Sequence, residues 1–185
     1  MPNFNEALEI LYTLEFSNPS NALHKNPTEE AYTFMGIYEK AHPSWGGWVM
    51  VHEMIRIKGK DLKAASKILM QNEFLLDLVA KFYKERFWDR MRLDEIESQL
   101  KANEIFIFGV NVGCRVAIKT AQRVAGVIND GYMGEQSIAA INRIDEAVFD
   151  RAYDDLELAY YDRPIERNPS FRIYARGWRK RALAV

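Results

Sequence analysis

Apolar side chains recur at intervals of three and four residues along most of this 185-residue chain. Such spacing places them on one face of an α-helix, where they can pack against a common core. Turn signals rich in Gly, Pro, Asn and Asp separate the helical segments, so a mainly α fold is expected. The pattern predicts helices over residues 3–16, 48–57, 62–69, 74–88, 96–108, 116–124, 134–144 and 147–162, with a last helix in 171–185.

One stretch departs from this pattern. Residues 17–42 are polar and irregular, and within them "YTFMGIYE" carries aromatic and β-branched residues around Gly36. These residue types favour extended backbone, and the glycine favours a turn. The sequence therefore predicts a small β wing near residues 32–39 on an otherwise helical domain.

Composition excludes several classes of function. With 48% hydrophobic residues the chain can bury one good core, while a net charge of -1 and a pI near 6.3 give no general attraction to nucleic acid. The single cysteine, Cys114, rules out a disulfide within the chain. The three histidines match no zinc motif, so neither a metal site nor a cofactor is predicted.

The same argument applies to membranes. No segment approaches the roughly 20 consecutive apolar residues that span a bilayer, so stable membrane insertion is not expected. The opening "MPNFNEALEI" lacks the basic and long apolar regions of a secretory signal, which predicts a cytoplasmic protein.

Glu15 is the least expected residue of the first helix. Leu8, Leu11 and Tyr12 precede it by seven, four and three residues, so all four side chains share one stripe. The segment "SNPS" then ends the helix. Apolar neighbours favour the protonated form of a carboxyl, as a general acid requires. The alternative is a helix-end glutamate that is turned outward to water.

The residues around this glutamate resemble a known family. A first helix ending in Glu15, a polar loop, and the segment "TFMGIY" are similar to glycoside hydrolase family 108, the bacterial and phage muramidases. Further on, "FYKERFWDRMRLDEI" is similar to the family's segment "Y-x-x-x-Y-W-D-x-x-x-x-D". The matching positions there are Tyr83, Phe87, Trp88, Asp89 and Asp94.

The second half resembles the predicted peptidoglycan-binding region that usually completes such proteins. The matching segments are "VNVG", "TAQR", "DGYMGEQSIAAIN", "AYYDR" and the closing "NPSF…GWRKR". The resemblance implies a muramidase catalytic region at residues 1–92 and a helical peptidoglycan-binding region at residues 93–185. It further implies that the two pack together as one lysozyme-like globule.

The resemblance also implies a chemistry. Glu15 would donate a proton to the leaving oxygen of the β-1,4 bond between N-acetylmuramic acid and N-acetylglucosamine. A second group must stabilise the transition state or activate water. The carboxylate candidates are Glu29, which is preferred, Glu30 and Glu39, and Asn26 and Thr33 are neutral alternatives.

Further residues are expected to bind substrate or water. The hydroxyl of Thr33 would hold the attacking water. The rings of Tyr38, Trp45 and Trp48 could form a rim on which sugars stack, although core packing is the commoner use of such rings. Asn111, within the segment "FGVNVG" that echoes phage lysozymes, is expected to bind substrate.

The leading hypothesis is an endolysin-like muramidase that acts on peptidoglycan glycan strands after a holin releases it from the cytoplasm. The alternative is a non-catalytic peptidoglycan-binding or envelope-assembly protein on the same fold. It stays open because Glu15-Phe16-Ser17 stands where the family usually has Glu-Gly-Gly. A nucleic-acid-binding module, using the "RGWRKR" end, is disfavoured by the overall charge.

The last two predicted helices carry opposite charges. Acidic residues crowd 145–162, and basic residues crowd 163–181 around the aromatic positions Phe171, Tyr174 and Trp178. The preferred interpretation is that the two helices pair their charges in water. The alternative is that the basic helix adheres to anionic envelope polymers.

Overall fold

The computed structural model describes residues 1–183 and 185, with the side chains at positions 169, 174, 180 and 181 left out. The side chains of Tyr174, Lys180 and Arg181, which belong to the predicted basic helix at the C-terminus, therefore lie outside the described part. The α-helices of the described chain are α1 (Phe4–Glu15), α2 (Trp48–Lys58), α3 (Leu62–Leu69), α4 (Glu73–Tyr83), α5 (Gln99–Val112), α6 (Cys114–Val124), α7 (Glu135–Arg143), α8 (Glu146–Arg167) and α9 (Arg172–Ala182).

A small antiparallel sheet follows α1. Its strands β1 (Leu23–His24), β2 (Thr33–Phe34) and β3 (Ile37–Tyr38) lie in chain order, and Thr33 pairs with Tyr38 across the hairpin. The two turn residues, Met35 and Gly36, have φ of 45° and 75°, as a tight hairpin with matching twist requires. The predicted fold class, mainly α with a small β wing, is confirmed.

The backbone contacts divide the chain into two compact units. Residues 11–83 form one, which we call the hairpin unit, and residues 1–10 with 84–185 form the other, the helical unit. These units are defined by contacts, whereas the boundary predicted at residues 92 and 93 divides the chain by function. That boundary stays a prediction.

The hairpin unit has its own apolar core beneath the sheet. Leu23, Phe34 and Ile37 lie opposite one another in adjacent strands, so they share the face of the sheet that supplies this core. The fully buried side chains of this core include Leu11, Leu23, Phe34, Met35, Ile37, Val51, Leu75 and Val79.

The helical unit is built around α5, whose residues 101–109 are all buried. A helix that is buried on every side needs partners all around it. Phe106 packs edge-on against Phe4 and Trp88, with ring centroids 5.8 and 5.7 Å away. Phe108 packs against Tyr153 of α8 at 5.9 Å.

Three predicted details are wrong. The helix predicted from residue 96 begins at Gln99, because Ser98 caps it by accepting a hydrogen bond from the Lys101 amide at 3.2 Å. The helix predicted over 74–88 is α-helical only to Tyr83, and a π-helical turn follows at Lys84–Trp88. The apolar spacing of the sequence also predicts a core stripe on α8 of Phe149, Tyr153, Leu156 and Tyr160. The structure instead buries residues 157 and 161 beside Phe149 and Tyr153.

The charge pairing predicted for the C-terminal helices is limited. Asp162 of α8 accepts from Arg179 of α9 at 3.4 Å, while Glu157 is buried inside the unit. None of the described helices is long and apolar enough to cross a membrane.

Candidate active site

Glu15 is the last residue of α1 and is half-buried. Leu11, one turn earlier, is fully buried, and Tyr12 is half-buried with its ring 6.0 Å from that of Phe16. The Tyr12 hydroxyl is buried and has no hydrogen-bond partner among the described residues. Burial, with a smaller effect of Asp77, raises the pKa of Tyr12 to about 12. The carboxylate thus follows an aromatic, poorly hydrated stretch of helix.

Tyr83 connects this glutamate to the hairpin. Its side chain is 3% exposed, and its hydroxyl donates a hydrogen bond to the Met35 carbonyl at 2.7 Å. Burial raises the pKa of Tyr83 above its usual value, and the negative charges of Tyr12 and Glu15 raise it further. Glu15 therefore interacts electrostatically with the hydroxyl that holds the β2–β3 turn.

Gly36 allows the close approach of the turn to this phenol. A Cβ atom at position 36 would lie 2.7 Å from the Tyr83 oxygen and 3.8 Å from the Phe16 ring. Only glycine fits the space, and its φ of 75° is also one that other residues rarely adopt. The hairpin tip, Tyr83 and the end of α1 thus form one cluster.

Glu29 belongs to the loop before β2. Its carboxylate accepts hydrogen bonds from the Asn26 amide N–H at 3.1 Å and from the Asn26 side chain at 2.9 Å. These bonds, the backbone one first, lower the pKa of Glu29. The structure thus places an ionised carboxylate on a loop segment that is tied to Asn26, a residue weighed as a neutral alternative.

The other two acidic candidates each have a basic side chain as a partner. Glu30 forms an exposed ion pair with Lys40. Glu39 lies 2.6 Å from the imidazole of His52 and accepts a hydrogen bond from the Tyr32 amide at 3.3 Å. Both carboxylates therefore have polar side-chain partners near the base of the hairpin.

Thr33 and Tyr38 lie opposite each other in the hairpin. Thr33 is 7% exposed, and Tyr38 is half-buried. The structure therefore brings these two predicted residues together as cross-strand neighbours.

The two tryptophans have different surroundings. Trp48 is 5% exposed and donates its indole N–H to the His42 carbonyl at 2.8 Å, so it is a core residue. Trp45 is half-buried, stacks on Phe34 with centroids 6.3 Å apart, and donates to the Leu78 carbonyl at 3.3 Å. Only Trp45 leaves part of its ring available to a sugar.

Asn111 belongs to the helical unit. It is an exposed residue near the end of α5, and its amide donates to the Ile107 carbonyl at 3.1 Å. Its predicted role in substrate binding stays a prediction.

Sequence reasoning missed the contacts of Tyr83 and the Glu39–His52 pair. Tyr83 and Gly36 both stand in the segments that resemble the family, which is the signal that could have linked them. Nothing in the spacing of Glu39 and His52, thirteen residues apart, indicates their contact.

Two family models match successive parts of the chain. Residues 23–113 match the family model described as glycosyl hydrolase 108, and residues 116–183 match the model described as predicted peptidoglycan domain. The resemblance predicted from the sequence is confirmed, and the two matches support a glycoside hydrolase that acts on peptidoglycan. The first match begins eight residues after Glu15, so it does not bear on the role of that residue.

A solved structure shares the fold. SagA of Brucella abortus is similar with a TM-score of 0.61 and 22% identity, over 98% of this chain and 94% of that one. The likeness confirms the architecture alone. No curated protein sequence gives a significant match.

Proposed function

We propose that the protein is a muramidase that hydrolyses the β-1,4 bond between N-acetylmuramic acid and N-acetylglucosamine, with Glu15 as the general acid. The observation that carries this proposal is the cluster at the end of α1. There a half-buried carboxylate acts electrostatically on the buried hydroxyl of Tyr83, which in turn holds the hairpin turn. The family match supplies the glycosidic substrate class.

The proposed step begins with the sugar chain lying along the hairpin. Glu15 donates its proton to the glycosidic oxygen as the bond to the anomeric carbon breaks. The departing chain leaves as an alcohol, and positive charge develops on the remaining sugar ring. Water then adds to that ring and gives up one proton to a carboxylate of the site, which completes the hydrolysis.

Glu29 is the proposed second carboxylate. Its lowered pKa keeps it negatively charged near neutral pH, which suits either stabilisation of the developing positive charge or activation of water. Thr33 is proposed to position the water, and Tyr38 and Trp45 to contact the sugar faces. Asn111 is proposed as a further sugar-binding residue.

The products of digestion test the proposal. Purified peptidoglycan is digested with the full chain, the fragments are reduced with borohydride, and their masses and reducing ends are determined. Hydrolysis at the proposed bond leaves N-acetylmuramic acid as the reducing end. Fragments ending in N-acetylglucosamine, or in an anhydro-muramic ring formed without water, would contradict it.

A second candidate is a protein that binds peptidoglycan without cleaving it. The match of residues 116–183 to a predicted peptidoglycan domain favours binding by that part of the chain. Sedimentation with purified walls, with no reducing ends released, would be the expected result. The functional division at residues 92 and 93 is proposed together with either candidate.

The proposed biological role is lysis of a bacterial cell by a phage or prophage enzyme that a holin releases from the cytoplasm. Expression of the chain in a bacterial host, with and without a co-expressed holin, tests this role. Culture turbidity is expected to fall only when both are present. Lysis without a holin would contradict the proposed route.

A further inference from the structure

Helices α5 and α8 of the helical unit bring three carboxylates together. Glu104 comes from α5, and Asp150 and Asp154, one helical turn apart, come from the same face of α8. One oxygen of each lies within 4.8 Å of an oxygen of the other two. These residues lie outside the proposed active site, and no sequence motif joins them.

The cluster is buried in an unusual way for acidic groups. Glu104 is only 3% exposed, one of its carboxylate oxygens faces the other two acids, and its Oε1 is buried without a hydrogen-bond partner among the described residues. The Oδ1 atom of Asp154 is likewise buried without one. Glu157, also 3% exposed, follows Asp154 on the same helix. A buried carboxylate whose oxygens accept no hydrogen bond is costly to keep charged unless a positive charge lies beside it.

No described side chain provides that charge. Lys101, the buried lysine of α5, donates from its ammonium to the carbonyls of Ile141 at 2.9 Å and Ile144 at 2.5 Å. The carboxylates that act on it are Glu146, Asp145 and Glu97, none of which belongs to the cluster.

The Tyr153 hydroxyl, which lies next to the cluster, does not donate a hydrogen bond to it. Tyr153 donates to the Ala117 carbonyl at 3.2 Å. Burial first, and the neighbouring acids second, raise the pKa of Glu104 to about 9 and that of Asp154 to about 6.

We propose that Glu104, Asp150 and Asp154 bind one hard divalent cation of the Ca²⁺ and Mg²⁺ class. An all-oxygen set of carboxylates is the donor chemistry that such cations prefer, with water completing the coordination shell. The cation joins α5, the central helix of the unit, to α8. Its role is to stabilise the packing of these helices, and it takes no part in hydrolysis.

Thermal unfolding of the full chain tests this site. The protein is treated with EDTA, dialysed at pH 7 and melted with increasing Ca²⁺, Mg²⁺ or Mn²⁺. The melting temperature is expected to rise with the concentration of at least one of these ions, because a ligand that binds only the folded state stabilises it by mass action. Calorimetric titration is expected to give one ion per chain.

Matched variants assign the effect to the cluster. Asp154→Asn and Asp150→Asn are each expected to weaken binding of the ion at least about tenfold, since one charged ligand is lost. Asp155→Asn removes an exposed acid that acts on Asp154 only from a distance, so this control should weaken ion binding much less than the cluster variants do. Mn²⁺ binding to the unmutated chain, followed by electron paramagnetic resonance, needs no variant and so does not depend on variant folding.

Two results would overturn the proposal. One is a melting temperature of the parent that no divalent ion raises, together with no Mn²⁺ binding. The other is an equal loss of binding in Asp155→Asn and in the cluster variants. Peptidoglycan digestion by the same samples is measured separately, so failure of the ion site leaves the proposed hydrolysis unaffected.

Discussion

The phenol of Tyr83, the last residue of α4, donates a 2.7 Å hydrogen bond to the backbone carbonyl of Met35 in the β2–β3 turn. This bond lies beside Gly36, whose missing side chain leaves room for the phenol oxygen. One side chain thus holds the turn of the β wing and interacts electrostatically with Glu15.

Gly36→Ala is expected to destabilise the protein through two effects. The new methyl group would lie 2.7 Å from the Tyr83 oxygen, and the positive φ adds roughly 1–2 kcal/mol of strain. Gly126→Ala is the control, because Gly126 has a φ of 66° with nothing within 4 Å of the added atom. Thermal melts should show the larger loss at position 36. Equal losses would mean that the contact with Tyr83 contributes nothing.

Tyr83→Phe examines the same contact from the other side. Loss of the hydroxyl leaves the Met35 carbonyl without its donor, at a cost of about 1–3 kcal/mol. In the Gly36→Ala background the change also removes the clashing oxygen, so the double variant should be more stable than the sum of the single losses predicts. Simple additivity in denaturant titrations would argue against the contact.

Gly47→Ala is expected to displace the Trp45 ring. An added Cβ would lie 2.2 Å from that ring, whereas at the neighbouring Gly46 nothing lies within 4 Å. Gly47→Ala should therefore change tryptophan fluorescence and weaken binding to peptidoglycan fragments, and Gly46→Ala should change neither. Normal fragment binding by a folded Gly47→Ala variant would remove Trp45 from the proposed sugar-binding residues.

The helices were predictable because their apolar residues repeat at helical spacing, and α3 (Leu62–Leu69) was predicted to the residue. The wing was predictable from Gly36 and its β-branched and aromatic neighbours. Strand β1 was missed, because it has only two residues and lies within a polar loop. A strand that short is defined by its pairing with β2, which local sequence does not reveal.

The burial of Glu157 in α8 could not be predicted from local sequence either. Residues 149, 153, 157 and 161 lie on one face of the helix, and all four are buried. Because Glu157 interrupts the apolar pattern of that face, the sequence favoured Leu156 and Tyr160 as core residues instead. The burial of Glu157 beside Glu104 is a property of the packing of α8 on α5. The position of Glu15 on α1 was visible in the sequence, whereas the approach of Tyr83 to Met35 required the folded chain.

Glu29→Gln and Thr33→Ala are each expected to slow peptidoglycan hydrolysis by about 10²- to 10³-fold, as loss of a group that stabilises a transition state usually does. The effect should be smaller than that of removing Glu15. Glu30→Gln, an exposed neighbour paired with Lys40, is the control and should retain activity. Initial rates of turbidity loss measure all three. A silent Glu29→Gln with a damaging Glu30→Gln would reverse the assignment within the loop.

Removal of the chain after Asn168 is expected to lower the melting temperature sharply. It deletes α9, whose Trp178 stacks on Tyr161 of α8 at 5.5 Å and whose Ala182 is 1% exposed. Full burial of an aromatic side chain contributes about 1.5–3 kcal/mol, so the half-buried Trp178 and the buried Ala182 together contribute a sizeable part of the 5–15 kcal/mol typical of a domain.

Arg179→Glu tests the basic surface of α9 without removing the helix. Its pair with Asp162 is exposed and contributes at most about 1 kcal/mol, so this variant should melt nearly as the parent does. Sedimentation with purified walls at two salt concentrations accompanies the melts. Normal melting with wall binding lost at low salt would favour adhesion by the basic helix over a purely structural role.

The role of Glu15 is tested most directly by the initial rate of reducing-end release from purified peptidoglycan by Glu15→Gln. The amide keeps the shape of the side chain but has no proton to donate to the glycosidic oxygen, so release should fall to background while circular dichroism and melting stay close to those of the parent. Glu9→Gln, an exposed position on the same helix, should release fragments at the parent's rate. A folded Glu15→Gln variant that retains activity within a few-fold of the parent would contradict the assignment of Glu15 as the acid.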